Sequence, residues 1–167
     1  GTGGVSMLAL GIAHAAGAHV VVTSSSDEKL DRAKKLGASG FVNYKKTPEW
    51  GPAAAAASHK GGADVVVEVG GAGTLAQSMQ AVNFNGEIAL IGVLTREGDT
   101  TPHPLMMKGS SIRGIFVGNK RMAQDLAAAI DVNGMKPAID KVFPFEDAAE
   151  AYRYQQQGAF GKVVIKV

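Results

Sequence analysis

The chain has 167 residues, 46% of them hydrophobic and 19% charged, with a formal net charge of +2. That is about one domain with enough apolar residues for a core, and no clustered basic stripe points to nucleic acid. The absence of cysteine excludes a disulfide framework or a thiolate zinc site, and no apolar run nears the ~20 residues of a bilayer span.

The chain opens on GTGGVS, a glycine cluster that feeds an apolar, alanine-rich helix over Val5–Ala16, stopped by Gly17. HVVVTS (19–24) is a β-branched run of the kind buried on both faces of a parallel sheet. A second helix follows, with Ser26 as N-cap, acids in its first turn and lysines before Gly37. FVNY (41–44) reads as a short third strand, and the stretch 48–59 as a helix crowded at its start by Pro48, Gly51 and Pro52. ADVVVEVG (63–70) is a strand, Thr74–Asn83 a helix and GEIALIGV (86–93) a strand. A polar loop, LTREGDTTPHP, leads to a strand at 111–118 and a helix over Lys120–Val132. Strands alternating with helices at this spacing predict a doubly wound parallel sheet. From Met135 the βαβ rhythm is expected to stop, giving a short strand, a Pro-Phe turn, a helix and a final strand, GKVVIKV.

Gly1, Gly3 and Ser6 fit the G-x-G-x-x-G pattern with a small residue in the last place. The first glycine allows the tight turn. The second lets backbone approach a pyrophosphate, and the helix N-terminus offers free N–H groups to it. Where NAD-specific sites place a carboxylate, at the end of the next strand, this chain has Thr23-Ser24-Ser25-Ser26, with Lys29 and Tyr44 nearby. Hydroxyls and an ammonium suit a 2′-phosphate, so NADP(H) is favoured over NAD(H). The serines also serve as ordinary helix caps, and the two roles are compatible. Asp64 and Glu68 read as structural groups at the strand ends rather than an acid–base pair. The histidines (His14, His19, His59, His103) show no metal-ligand spacing, and no Y-x-x-x-K, G-x-S-x-G or H-E-x-x-H motif occurs.

Taken in order, GTGGVSMLAL, TSSSDEKLDRAKKLGA, DVVVEVGG, GEIALIG, GIFVGN and FEDAAEAYRYQQQGAFGKVVIKV resemble the medium-chain dehydrogenase/reductase superfamily, in its zinc-type alcohol dehydrogenase and quinone oxidoreductase-like branch. The resemblance covers essentially the whole chain. It implies a Rossmann-type α/β domain over residues 1–134, matched from just after its first strand. Residues 135–167 would be a C-terminal segment returning to a GroES-like catalytic domain. By this resemblance the chain is a fragment cut at the strand–turn junction, and the empty central slot is expected to be filled by upstream residues rather than by GKVVIKV or a neighbouring chain.

The resemblance also implies contacts. Gly3, Gly4 and Val5 would lie under the pyrophosphate, with Gly1 opening the turn. Ser24, Ser25, Lys29 and Tyr44 would face the 2′-phosphate, and Val69 and Gly70 the adenine ribose. Gly92, Val93, Leu94, Phe116 and Val117 would present backbone to the nicotinamide. Lys162 would stand near the phosphates, or else be an exposed strand-end lysine. No catalytic residue is assigned. Zinc, where the family holds it, is bound by the catalytic domain, and this chain offers no ligands for it. The implied activity is hydride transfer between NADP(H) and a small-molecule alcohol, carbonyl or activated alkene. With no signal segment, bilayer-length run or basic stripe in the sequence, the cytoplasm is the expected location and neither nucleic acid nor membrane an expected partner. A homodimer through the edge strand near residues 111–118 is a further expectation. The competing reading is a nucleotide-binding module without turnover. A methyltransferase-type user of the same sheet is disfavoured by FVGN and GKVVIKV.

Overall fold

The structure, a computed structural model, describes residues 1–98 and 100–167; Asp99, within the expected polar loop, lies outside the described residues. Helix α1 (Gly4–Ala15) follows the glycine turn, then come β1 (Val21–Ser24), α2 (Asp27–Lys35), β2 (Gly40–Asn43) and α3 (Trp50–Ala57). The chain continues through β3 (Ala63–Glu68), α4 (Ala72–Ala81), β4 (Val82–Leu90), α5 (His103–Lys108), β5 (Ser111–Gly114) and α6 (Lys120–Val132). The tail adds β6 (Ile139–Pro144), a 3-10 turn at Phe145–Asp147, α7 (Ala148–Gln156) and β7 (Lys162–Lys166).

All strand pairs are parallel, as β1–β2, β3–β4–β5 and β6–β7. Successive residues of β1 point to opposite faces, which is why Val22 joins one core and Val21 another. Val22 packs with Met7 and Leu10 of α1, Leu30 and Ala33 of α2, and Phe160 from the tail. Val21 packs on the opposite side with Val42, Trp50, Ala53 and Ala54 of α3. Helices on both faces make the doubly wound arrangement. A third cluster joins Met79 of α4 to Val66, Val82, Ile88 and Ile112.

The first strand implied by the resemblance would lie between β1 and β3. Among the described residues no strand pairs with the β1 edge away from β2 or the β3 edge away from β4. Val65 and Val67 of β3 are accordingly 61% and 40% exposed. The terminal strand does not enter this slot, because β7 pairs with β6.

Four expectations need correction. The tail does continue the βαβ rhythm: β6, α7 and β7 form a parallel unit of their own. Helix α5 was expected as loop; proline at its start, Leu105 in the third cluster and Gly109 in the left-handed conformation at its end make it a helix. Strand β4 begins at Val82 rather than Gly86, because its pairing jumps from Ala63–Val82 to Val65–Glu87 around Asn85, which has a φ of 57°. Strand β5 stops at Gly114, so Phe116 and Val117 leave the sheet.

Candidate dinucleotide site

Gly1 lies between the ends of β1 and β3, its nitrogen donating to Thr23 Oγ1 at 3.1 Å. A β-carbon placed on Gly1 would sit 3.5 Å from Val69 Cγ2. Gly3 is the N-cap of α1 and supplies no side chain to cap it. The first N–H groups of α1 therefore lack intrahelical partners and carry the positive end of its dipole. A β-carbon on Gly3 would face open space. Lys162 lies over this turn: a β-carbon on Gly4 would be 2.5 Å from its Nζ and 2.8 Å from its Cε. An ammonium at a helix N-terminus is electrostatically unfavourable by itself, and a bound anion reverses the sign. Free amides, a backbone without side chains and one cation fit a pyrophosphate.

At the end of β1 the predicted residues have divided roles. Ser24 is 3% exposed and its Oγ accepts from Ser26 N at 3.3 Å, while its carbonyl accepts from Tyr44 N at 3.0 Å. Ser25 is half-buried and Tyr44 is exposed beside it. Ser26 caps α2 as expected, accepting from Lys29 N at 3.4 Å. The Lys29 ammonium, expected at the 2′-phosphate, donates to the Gly158 carbonyl in the tail. The nearby Asp27 carboxylate is held by Asn43 Nδ2 at 2.7 Å and by Lys46. Those two hydrogen bonds, from Asn43 first and Lys46 second, keep its carboxyl below the usual range.

Glu68 organises the third corner. Its buried carboxylate accepts from Gly70 N at 2.7 Å, Gly71 N at 3.0 Å, Thr74 Oγ1 at 2.6 Å and Ser78 Oγ. With every oxygen occupied it holds the β3–α4 turn, which agrees with the structural reading of this residue. Its carbonyl accepts from Gly92 N at 3.0 Å, and Gly70 O accepts from Thr95 N at 2.9 Å. Val69, Gly70 and Gly92 are thereby brought to the same end of the sheet as the glycine turn. An open groove beside them is lined by Gly71, Leu75, Gly92, Val93, Thr95 and Arg96. Val93, Leu94, Phe116 and Val117 are 79%, 83%, 95% and 78% exposed. Val117 has a φ of 46°, a conformation that costs a β-branched residue about 1–3 kcal/mol and often marks a ligand-facing backbone.

Among the described residues no group of three or more His, Cys, Asp or Glu side chains is placed to hold a metal. No described helix is long and apolar enough to cross a membrane. Sequence reasoning missed Asp140, which joins the tail to α2 through Arg32 Nη1 at 2.7 Å. Nothing local in the sequence marks that contact, whose partners are far apart along the chain.

A sequence model of the family described as "Zinc-binding dehydrogenase" matches residues 4–132. A zinc-type alcohol dehydrogenase-like protein of Schizosaccharomyces pombe is 49% identical over 174 aligned residues, covering all of this chain and 50% of the relative. A crystal structure from Sinorhizobium meliloti 1021, assigned as an alcohol dehydrogenase, superposes with a TM-score of 0.91 at 44% identity, over all of this chain and 49% of the other. That of an NAD-dependent alcohol dehydrogenase superposes at 0.84 and 34% identity, over 99% of this chain and 49% of the other. The chain spans about half the length of the curated relatives it matches.

Proposed function

Because the chain belongs to the zinc-binding dehydrogenase family, we propose that it is the cofactor-binding part of an NADP(H)-dependent oxidoreductase acting on an alcohol, carbonyl or activated alkene. The observation that carries the reading is the Lys162 ammonium held over Gly4 at the uncapped start of α1. Gly3, Gly4 and Val5 then receive the pyrophosphate on backbone amides, and Lys162 neutralises it. Ser25 and Tyr44 reach the 2′-phosphate, and Lys29 joins them by exchanging the Gly158 carbonyl for it. Asp27, already paired with Lys46 and Asn43, adds little repulsion. Val69 and Gly70 border the ribose. Gly92, Val93 and Leu94, with the strained Val117 and its neighbour Phe116, orient the nicotinamide and exclude water from one side of it. The bound nicotinamide supplies the hydride chemistry; these residues bind and orient it.

In this reading residues 1–134 form the dinucleotide-binding domain and residues 135–167 return to a catalytic domain, which would supply the other wall of the substrate cleft and any zinc ligands. Strand β5, paired with β4 on one side, suits a homodimer contact along its other edge. The cytoplasm is the proposed location. Titrating the full-length protein with NADPH tests the reading: Lys162→Ala should weaken binding about tenfold, the worth of one charge-assisted contact. Unchanged affinity would refute the phosphate assignment.

A further inference from the structure

The position of Lys162 is held by a strap, and the strap has one carboxylate beneath it. Gly161 N donates to Thr2 O at 2.8 Å, and Lys162 N donates to Ala138 O at 2.8 Å. Gly161 has a φ of 67° and passes so near Ala138 that a β-carbon would lie 2.2 Å from its carbonyl oxygen. The strap is therefore pinched between the glycine turn and the residues before β6. Just ahead of it, Phe160 is 2% exposed within the core formed by α1 and α2. The Asp140 carboxylate accepts from Phe160 N at 3.0 Å, Tyr154 Oη at 3.1 Å and Arg32 Nη1 at 2.7 Å. The Arg32 guanidinium also stacks 4.0 Å above the Phe160 ring.

These contacts form one chain of support. Helix α2 holds Asp140 through Arg32, Asp140 holds Phe160, and Phe160 sets Gly161 and Lys162 against the α1 N-terminus. Asp140 is the junction: its side chain is 9% exposed, and three donors converge on its two oxygens. A long lysine side chain left to itself would turn away from the helix dipole into water. Fixing its backbone beforehand removes part of the ordering cost that phosphate binding would otherwise carry.

We propose that Asp140 is a positioning residue for dinucleotide binding, clamping the Phe160-Gly161-Lys162 strap through Arg32 and the Phe160 amide so that Lys162 is set for the pyrophosphate. The inference rests on the dinucleotide reading above and adds to it a residue that does not touch the cofactor. Its prediction is selective. Loss of the clamp weakens ligands that carry a pyrophosphate and spares those that carry only the adenosine end.

The test is calorimetric titration of the full-length protein with NADPH and with adenosine 2′-monophosphate, which keeps the 2′-phosphate but carries no 5′-phosphate. Asp140→Asn should weaken NADPH about tenfold, leave adenosine 2′-monophosphate unchanged, and add nothing in a Lys162→Ala background. Arg32→Gln removes the charged partner while leaving Asp140 its other donors; it should show the same pattern to a smaller degree and serves if Asp140→Asn does not fold. Equal weakening of both ligands, or additive losses with Lys162→Ala, would overturn the positioning role and leave only a structural one. NADPH affinity reduced by Lys162→Ala but untouched by Asp140→Asn and Arg32→Gln would overturn the inference while sparing the site. Failure of wild type to bind NADPH would remove the site itself.

Discussion

Gly92 approaches Val69 so closely that a β-carbon on it would lie 1.8 Å from the Val69 carbonyl oxygen. Both residues belong to the proposed cofactor site, yet this contact is about folding: backbone meets backbone where β3 and β4 end. Gly3, in contrast, has nothing within 4 Å of the same position. The two glycines should therefore separate under substitution. Gly92→Ala forces the strand ends apart and should cost about 1–3 kcal/mol or more. Gly3→Ala should change stability by less than about 1 kcal/mol while its methyl group obstructs the pyrophosphate. Thermal denaturation and NADPH titration of both variants check this; equal losses of stability would contradict it.

Cofactor choice is the second expectation. Among the described residues the end of β1 carries serines, Ser24 buried among them, and the Asp27 carboxylate just beyond is paired. One charge-assisted contact to the 2′-phosphate contributes roughly 1.5–3 kcal/mol, so kcat/KM of the full-length enzyme should favour NADPH over NADH by more than about tenfold. Ser24→Asp should move the ratio toward NADH. Parity between the cofactors in the wild type would refute the assignment of this corner.

What the sequence revealed and what it hid follow from the range of the interactions. HVVVTS, DVVVEVG and the capped helix after Ser26 are local signals, and each became the expected element within a few residues. The α6 limits, Lys120 and Val132, agree with the reading, because Asn119 caps that helix by accepting from Met122 N at 2.9 Å. Helix α5 was concealed by its prolines and by a long-range cap. From its last turn the Lys108 ammonium donates to Met79 O, Gln80 O and Val82 O at 3.0, 2.7 and 2.7 Å, closing the end of α4. No pattern in the segment forecasts a lysine serving a helix more than twenty residues earlier. The glycine turn into α1 was legible from its spacing, whereas Lys162 beside it was suggested only by family resemblance. The Asp140 junction joins three separate stretches of chain, so spacing could not show it.

Acid should loosen that junction. Burial would raise the Asp140 carboxyl, but the Phe160 amide, the Arg32 hydrogen bond and charge, and the Tyr154 hydroxyl outweigh it and hold the carboxyl low. Arg32 and Tyr154 contact it directly, and Lys141 lies over the Phe143 and Tyr154 rings on the same side. A carboxyl with a depressed folded value stabilises fully above its unfolded value of about 3.9 and loses that contribution as pH falls through the folded one. The Tm gap between wild type and Asp140→Asn should thus be widest near neutrality and narrow below about pH 4. Comparing the two proteins isolates this group from Asp27 and Asp64, whose carboxyls are also held low. A gap undiminished at about pH 2 would contradict the ionised clamp.

The last expectation concerns the slot between β1 and β3. In the described residues each of these strands is paired on one side, and valines of β3 stand exposed. A peptide group left without a partner away from water costs about 1–3 kcal/mol, so the slot is stable only when a strand fills it or water enters. The 167-residue chain prepared alone should therefore exchange the slot-facing amides of β1 and β3 rapidly. If the proposed full-length protein brings a strand into the slot, it should protect them. The same preparation should show no dehydrogenase turnover with alcohols, aldehydes or quinones, because the opposite wall of the substrate cleft belongs to the proposed catalytic domain. Hydrogen exchange read by mass spectrometry, with an activity assay on the same sample, checks both halves. Protected amides in the isolated chain would mean that the slot closes without a supplied strand, and turnover would place the catalytic groups within these residues.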